Sequence, residues 1–346
     1  MLNRDYSTAA KLLHKLALGS SLVGELCFDI EQVVNKVDPD TVNESPVFVV
    51  GLARAGTTIL LRSLYQTAAF RSLTYRDMPF VLMPATWRKL SSHFQRDMSA
   101  VERAHGDSIV IDFDSPEAFE EVFWRTFYGR DYIEDTALSC QRLDKEACEK
   151  FRRFVASVVA SSADTDGKRY LSKNNNNLLR LQGLARSFPE SVVIIPFREP
   201  VQHALSLLRQ HRNFVSIQRE DSFALKYMNW LGHHEFGLNH KPFNFPGQSI
   251  STADHDAIEY WLAQWVGAYN HALEHAPAGA IFLSYEDLCH QPDELLGRLM
   301  ATLDVPYNDV IGSSISRSES YAAGDIDQEA LASAHSTYRR LLAAKF

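Results

Sequence analysis

PVFVVGLARAGTTILLRSL, residues 46–64, is the stretch on which the reading of this chain turns. Pro46 opens a run of four apolar residues, Val47 to Val50, short and β-branched enough for a buried parallel strand. Gly51 ends the run, and Ala53, Arg54, Ala55 and Gly56 make a tight turn of small residues around one cation. Thr57 and Thr58 stand where a helix begins, and Ile59, Leu60, Leu61 and Leu64 give that helix an apolar side. Strand, glycine loop and helix N-terminus together make an anion site, because unpaired backbone N–H groups and the helix dipole converge on one point.

The loop follows the phosphate-binding pattern GxxxxGK[ST] with one informative failure. Gly51 and Gly56 are correctly spaced and Thr58 holds the final hydroxyl position, but Thr57 stands where the pattern has Lys. Without that lysine, ordinary ATP or GTP hydrolysis is poorly supported. The cation sits inside the loop instead, as Arg54. Such a loop suits one terminal, singly charged group, such as a sulfonate, better than a triphosphate with its magnesium. The bland alternative is an ordinary strand–turn–helix with a chance pair of glycines.

The segment RYLSKNNNNLLRLQGLARSFPESVVIIPFREPVQHALSLLRQH, residues 169–211, reads β–α–β–α: strand at Tyr170–Leu171, helix at Leu178–Ser187, strand at Ser191–Phe197, helix at Pro200–His211. That alternation predicts a parallel sheet with right-handed crossovers. In such a sheet, ligands gather beyond the carboxyl ends of the strands. Arg198 ends one strand and Lys173 another, so both point where the 51–58 loop points. Ser206 lies two turns along the helix after Arg198, able to share its side. The bland alternatives are an Arg198–Glu199 pair and an exposed strand-end lysine.

These segments resemble the sulfotransferases, especially the branch of tyrosyl-protein sulfotransferases and many bacterial enzymes. GLARAGTTILLRSL is similar to their phosphosulfate-binding loop, G-x-x-R-S-G-T-T-L-L, with Ala55 replacing the usual Ser. FREPVQHALS is similar to their R-x-P…Ser motif, which implies that Arg198 and Ser206 hold the 3′-phosphate of 3′-phosphoadenosine 5′-phosphosulfate. Lys173 stands at their K-x-P lysine, with Asn175 in place of the proline. The resemblance implies donor binding by Arg54, Ala55, Gly56, Thr57, Thr58, Arg198 and Ser206. It implies catalysis by Arg54 and Lys173, with Asp77, 23 residues beyond Arg54, standing in for a catalytic Glu. His105 and His211 are the alternative bases, since histidine has the better intrinsic pKa. Arg317 and Ser318 are expected to close over the 3′-phosphate. Tyr285–Leu288, YEDL, also recurs in the family, in a largely structural role.

Composition bounds the rest. The chain has 346 residues, 45% apolar and 23% charged, enough for a large core in one or two domains. A net charge of −8 argues against non-specific nucleic-acid binding. No stretch reaches the ~18 consecutive apolar residues of a membrane span, and Asp5 with no basic–apolar leader argues against a signal peptide. Cys27, Cys140, Cys148 and Cys289 lack metal-ligand spacing and read as free thiols in a reducing, cytoplasmic setting. HHEFGLNH at 233–240 invites a metal reading, but no second ligand cluster accompanies it, so a polar, aromatic surface insertion and no metal are expected.

The expected fold is α/β: a P-loop-NTPase-like parallel sheet of about five strands flanked by helices. An N-terminal helical extension, 1–45, precedes a single domain, 46–346, with helical insertions at 80–165 and 213–276. Helical spacing runs through 5–37 with a break at Gly19–Ser20, and this pair is expected to pack on the main domain, with a homodimer or membrane-surface role as the alternative. A short strand is expected in Phe70–Tyr75, a helix at 80–94, a polar connection at 101–115, and a helix at 116–128 with Pro116 at its first position. Helices at 144–162, 254–275, 292–303 and 327–343 and a strand at 280–284 follow. Trp261, Trp265 and Tyr269 read as a core stripe. The expected activity is sulfuryl transfer to a hydroxyl or amine of a glycan, lipid, small molecule or peptide, without metal. A P-loop small-molecule kinase and a silent nucleotide-binding interaction protein are the competing readings.

Overall fold

The computed structural model describes residues 8–39, 45–91, 101–102, 110–111, 114–162, 167–247, 254–307, 315, 321–322 and 324–346. His105, Arg317 and Ser318 lie outside the described residues. Two helices, α1 (Thr8–Leu18) and α2 (Ser21–Asn35), meet at the predicted break. The loop motif follows as β1 (Val47–Val49) and α3 (Thr57–Tyr65). Next come β2 (Phe70–Arg71), a 3-10 turn at Tyr75–Asp77 and α4 (Pro84–Ser91). β3 (Val101–Glu102) and β4 (Val110–Ile111) pair antiparallel within the predicted polar connection. α5 (Glu121–Tyr132), β5 (Leu138–Ser139) and α6 (Lys145–Ala160) lead to β6 (Arg169–Lys173). A 3-10 turn at Asn175–Arg180, α7 (Leu181–Ser187) and β7 (Val192–Phe197) complete the crossover. α8 (Pro200–Glu220), α9 (Ser222–Trp230), β8 (Phe243–Asn244) and α10 (Ile258–His275) precede β9 (Ile281–Ser284). α11 (Tyr285–His290), α12 (Pro292–Thr302) and α13 (Gln328–Ala344) follow.

The main sheet has five parallel strands in the order β2-β6-β1-β7-β9. β1 is central, so its residues are buried on both faces and alternate between two cores. Val47 and Val49 pack with Leu60, Leu61 and Leu64 of α3. Phe48 and Val50 join the larger core on the opposite face, where Phe48 meets the rings of Phe151, Tyr170 and Phe188. The α/β class and the parallel sheet flanked by helices are therefore as the loop motif and the β–α–β–α stretch dictated.

Two local expectations are corrected. The helix after Pro116 begins at Glu121 rather than at 116. Ser115 to Glu117 is drawn into extended pairing with the chain just after β2: Tyr75 N–H donates to Ser115 O, and Glu117 N–H to Leu73 O. Those backbone groups cannot serve both a ladder and a helix. The histidine-bearing segment is also no plain surface insertion. α8 extends through its start to Glu220, His234 and Phe236 are buried, and Phe236 packs against Phe214 of α8 and Trp261 of α10.

Candidate active site

The loop between β1 and α3 is rooted in the sheet centre. Val49 is register partner to both Lys173 of β6 and Ile194 of β7. Val50 N–H donates to Ile194 O at 2.8 Å, and Asn174 N–H to Val49 O at 3.1 Å. Lys173 thus leaves the sheet beside the root of the loop. Gly56 caps α3 with φ +86°, a conformation that favours glycine, and a Cβ there would meet the Tyr285 ring at 2.9 Å. Gly56 offers no side chain to cap the N-terminus of α3, and the first turn holds no acidic residue. The N–H groups and dipole of a helix start suit an anion.

Arg54 holds φ +72°, a strained conformation for a residue with a side chain, and strain of about 1–3 kcal/mol persists only where neighbours enforce it. Two neighbours are visible. Arg54 Nε donates to Ser206 Oγ at 3.3 Å, and His203 clasps the preceding Ala53 carbonyl. The indole N–H of Trp265 donates to His203 Nδ1 at 3.1 Å, which leaves the imidazole proton on Nε2, donated to Ala53 O at 2.8 Å. Burial pushes the His203 pKa down to about 3, against the hydrogen bond to Ala53, and Arg198 and Arg54 repel a charge there. The ring is neutral at ordinary pH and acts as a fixed strut. The apolar stripe of α10 thus carries part of the site: Trp265 orients His203, and Tyr269 OH donates to Pro196 O within β7.

Arg198 leaves the end of β7 and is buried, its guanidinium 4.8 Å from the centre of the Tyr285 ring. It does not pair with Glu199. That carboxylate turns back to cap α8, accepting from Val201 N–H at 3.2 Å and Gln202 N–H at 2.7 Å. Glu199 N–H in turn donates to Glu286 at 2.9 Å. Among the described residues Arg198 has no carboxylate ion-pair partner. A buried guanidinium stacked on one ring is costly without a counter-charge, so an anion completes it well. The YEDL segment is accordingly part of the site's wall, through Tyr285 under Arg198 and Gly56 and Glu286 under Glu199.

Asp77 closes the 3-10 turn after β2, where the chain leaves the strand next to β6. It is buried, and both its oxygens face Arg71 Nη2, at 2.7 and 2.8 Å. Oδ2 also accepts from Thr74 N–H and Thr74 OH, whereas among the described residues Oδ1 accepts from Arg71 alone. Arg71 is held further by Ser161 Oγ. His211 is placed otherwise. Its Nδ1 accepts from Gly237 N–H at 3.3 Å, and its ring packs among His240, His255 and Trp261. Burial, then His255, lowers its pKa to about 4.

The structure brings Arg54 and Ser206 into contact and sets Lys173 and Arg198 at the same sheet edge. It ties Asp77 to Arg71. His203, Trp265, Tyr285 and Glu286 were missed as site residues. His203 stands one turn before Ser206 on α8, and that spacing was the signal available for it. Among the described residues no group of His, Cys, Asp or Glu is arranged to hold a metal ion, and no helix is long and apolar enough to cross a membrane.

Comparison with known proteins bears on the fold and the family. The chain resembles the solved sulfotransferase STF9 from Mycobacterium avium, at 16% identity and a TM-score of 0.53, over 94% of this chain and 83% of that one. It also resembles sulfotransferase STF1 from Mycobacterium tuberculosis H37Rv, at 14% identity and a TM-score of 0.50, over 94% and 84% of the two chains. At these identities the likeness speaks for the fold. No curated protein matches the chain in sequence. The sequence profile of the Sulfotransferase family matches residues 46–240, which span the loop, Asp77, Lys173, Arg198 and Ser206, and the chain belongs to that family.

Proposed function

We propose that this protein transfers a sulfuryl group from 3′-phosphoadenosine 5′-phosphosulfate to a hydroxyl or amine of an acceptor. The observation that carries the reading is the edge of the sheet. Arg54, Lys173 and Arg198 all stand at that edge, near the N-terminus of α3, in a chain whose net charge is −8. Cations gathered against the overall charge mark an anionic ligand. Arg198 and Ser206 are assigned to the 3′-phosphate. Ala55, Gly56, Thr57 and Thr58 are assigned to the 5′ side through backbone N–H groups and the two hydroxyls.

The donor supplies an activated sulfuryl group, and the protein's task is to stabilise the charge that leaves with the phosphate. Arg54 and Lys173, fixed before reaction, do so at no reorganisation cost. A sulfonate carries less charge than a phosphoryl group, so these cations replace the metal of a kinase. Asp77 is assigned the acceptor's proton, through Oδ1, whose partner among the described residues is Arg71. The free thiols of Cys27, Cys140 and Cys148 favour a reducing, cytoplasmic setting. The test is ligand choice followed by turnover. Adenosine 3′,5′-bisphosphate should bind more tightly than ATP or adenosine 5′-phosphate, and radiolabelled donor should label an acceptor in a class-by-class screen. Equal affinity for adenosine 5′-phosphate and the bisphosphate would remove the 3′-phosphate assignment. ATP preferred with magnesium would revive the kinase reading.

A further inference from the structure

Residues 232–238 are tied to both sides of the sheet edge. On one side they dock on the turn that follows Lys173: Asn176 Nδ2 donates to Gly232 O at 3.1 Å, and Asn175 Nδ2 to Glu235 Oε1 at 2.9 Å. On the other side they are held by α8, the helix after β7. Gly237 N–H donates to His211 Nδ1 at 3.3 Å, Leu238 N–H donates to Gln218 Oε1 at 2.6 Å, and the Phe236 ring stacks with Phe214. β1 lies between β6 and β7 in the sheet. The segment is therefore an arch from the end of β6 to α8, across the strand that carries the Arg54 loop. Glu235 is its footing on the Lys173 side.

The Glu235 carboxylate is half-buried and pairs with no cation among the described residues. Oε1 accepts from Asn175, and Oε2 has no partner among those residues. Asn175 is itself buried, and its Oδ1 likewise has no hydrogen-bond partner among them, so the bond that its side chain makes there is the one that orients Glu235. A carboxylate repels a sulfonate, so Glu235 has no part in holding the donor. It suits the other reactant. With the sulfuryl group over Arg54 and Lys173, in-line displacement brings the acceptor in from the β6 side, where Glu235 stands. An acceptor with a single hydroxyl would leave the carboxylate desolvated and without a donor. A second O–H or N–H beside the reacting group removes that cost.

We propose that Glu235, positioned by Asn175, selects acceptors that carry a second hydrogen-bond donor, a hydroxyl or an ammonium, on the carbon next to the hydroxyl that receives the sulfuryl group. The proposal rests on the sulfotransfer reading above, and binding in the dead-end complex with adenosine 3′,5′-bisphosphate tests it without turnover. The probes are trans-1,2-cyclohexanediol, trans-2-aminocyclohexanol and cyclohexanol, titrated by ligand-observed NMR. Cyclohexanol should bind last, by about 10- to 100-fold, the scale of a hydrogen bond to a charged group. A preference for the amino alcohol over the diol assigns the second donor to an ammonium, and equal binding of those two assigns it to a hydroxyl. Glu235→Gln keeps the oxygen that Asn175 holds and loses the charge, so it should fold normally and remove most of the gap. Asn175→Ala should narrow the gap with Glu235 still present, while the urea midpoint and bisphosphate affinity hold; a merely structural asparagine would not do so. With the bisphosphate bound, equal or absent binding of all three probes by the wild type would overturn the proposal, as would a gap indifferent to Glu235→Gln. Failure to bind the bisphosphate at all would remove the sulfotransfer reading, and this proposal with it.

Discussion

Replacing Asp77 with Asn separates two tasks that one carboxylate holds. Its oxygens lie 2.7 and 2.8 Å from Arg71 Nη2, with both side chains buried. Asparagine keeps the shape and can keep the Thr74 N–H contact, but it removes the counter-charge and leaves the guanidinium to Ser161. Breaking a buried pair on one side costs about 3–5 kcal/mol, and the retained contacts set the expectation at the low end, about 3 kcal/mol. With a urea slope of about 3 kcal/mol per molar, the unfolding midpoint should fall by about 1 M. If Asp77 also takes the acceptor's proton, kcat should fall about 10²–10⁴-fold while donor affinity stays nearly intact. The double variant Arg71→Met, Asp77→Asn distinguishes the tasks. Removing both charges should restore most of the stability, since a buried ion pair exchanged for neutral groups is close to neutral overall. Turnover should remain low, and an acceptor of lower hydroxyl pKa should partly rescue it. Should the double variant regain full turnover along with stability, Asp77 is an anchor for β2 and the base reading fails.

Four further outcomes are expected. Arg198→Ala should weaken adenosine 3′,5′-bisphosphate by about 2–3 kcal/mol in calorimetric titration, the scale of a charge-assisted pair, and leave adenosine 5′-phosphate unchanged. Gly56→Ala places a Cβ 2.9 Å from Tyr285 at φ +86°, so it should cost about 1–3 kcal/mol in thermal or urea unfolding and lower donor affinity. Turnover should survive chelation by EDTA; loss restored by one divalent ion would overturn the assignment of Arg54 and Lys173. His203 and His240 both have pKa values lowered to about 3, chiefly by burial. The unfolded chain therefore binds more protons below about pH 6.5, and stability should fall with acidification by up to about 1.4 kcal/mol per pH unit for each. Urea midpoints from pH 7 to pH 4 measure this, and His203→Phe should flatten the slope.

Much of the fold was legible because its signals are local. Four apolar residues before Gly51, the threonines after Gly56 and the β–α–β–α stretch each dictate backbone conformation over a few residues, and the parallel sheet follows. The positions of Lys173 and Arg198 were legible for the same reason, as strand ends in such a sheet. What was not legible depends on where a side chain goes once the chain is folded. Glu199 has two options one residue from Arg198, an ion pair or a helix cap, and the sequence offers both; the structure takes the cap. Pro116 suits a helix start, but pairing with β2 claims its neighbours. His203 looks like any helix histidine until Trp265, 62 residues away, fixes its tautomer against the loop. YEDL reads as structural until Tyr285 is found under both Arg198 and Gly56.

The strand order then gives the site a direction. Across the edge, β2, β6, β1, β7 and β9 present Asp77, Lys173, the Arg54 loop, Arg198 and Tyr285 in that spatial order. Neighbouring strands lie about 4.8 Å apart, so about 10 Å separates the roots of Lys173 and Arg198. On the proposed reading, the 3′-phosphate belongs at the β7 end and the sulfuryl group over β1 and β6, where Arg54 and Lys173 stand. The acceptor must then arrive from beyond β6, the β2 side, because in-line displacement requires it opposite the leaving phosphate. The walls on that side are the 3-10 turn at Tyr75–Asp77, α4 and the chain around Ser115–Glu117, which is hydrogen-bonded to Leu73 and Tyr75 just after β2. Substitutions there should alter acceptor choice and leave affinity for adenosine 3′,5′-bisphosphate unchanged, whereas substitutions around Tyr285 should do the reverse. Arg76, beside Asp77 and paired with Asp114 at 2.7 Å, is the replacement that tests this direction most cleanly. An Arg76→Ala variant that changed bisphosphate affinity while keeping the same acceptor profile would show that the donor lies the other way round.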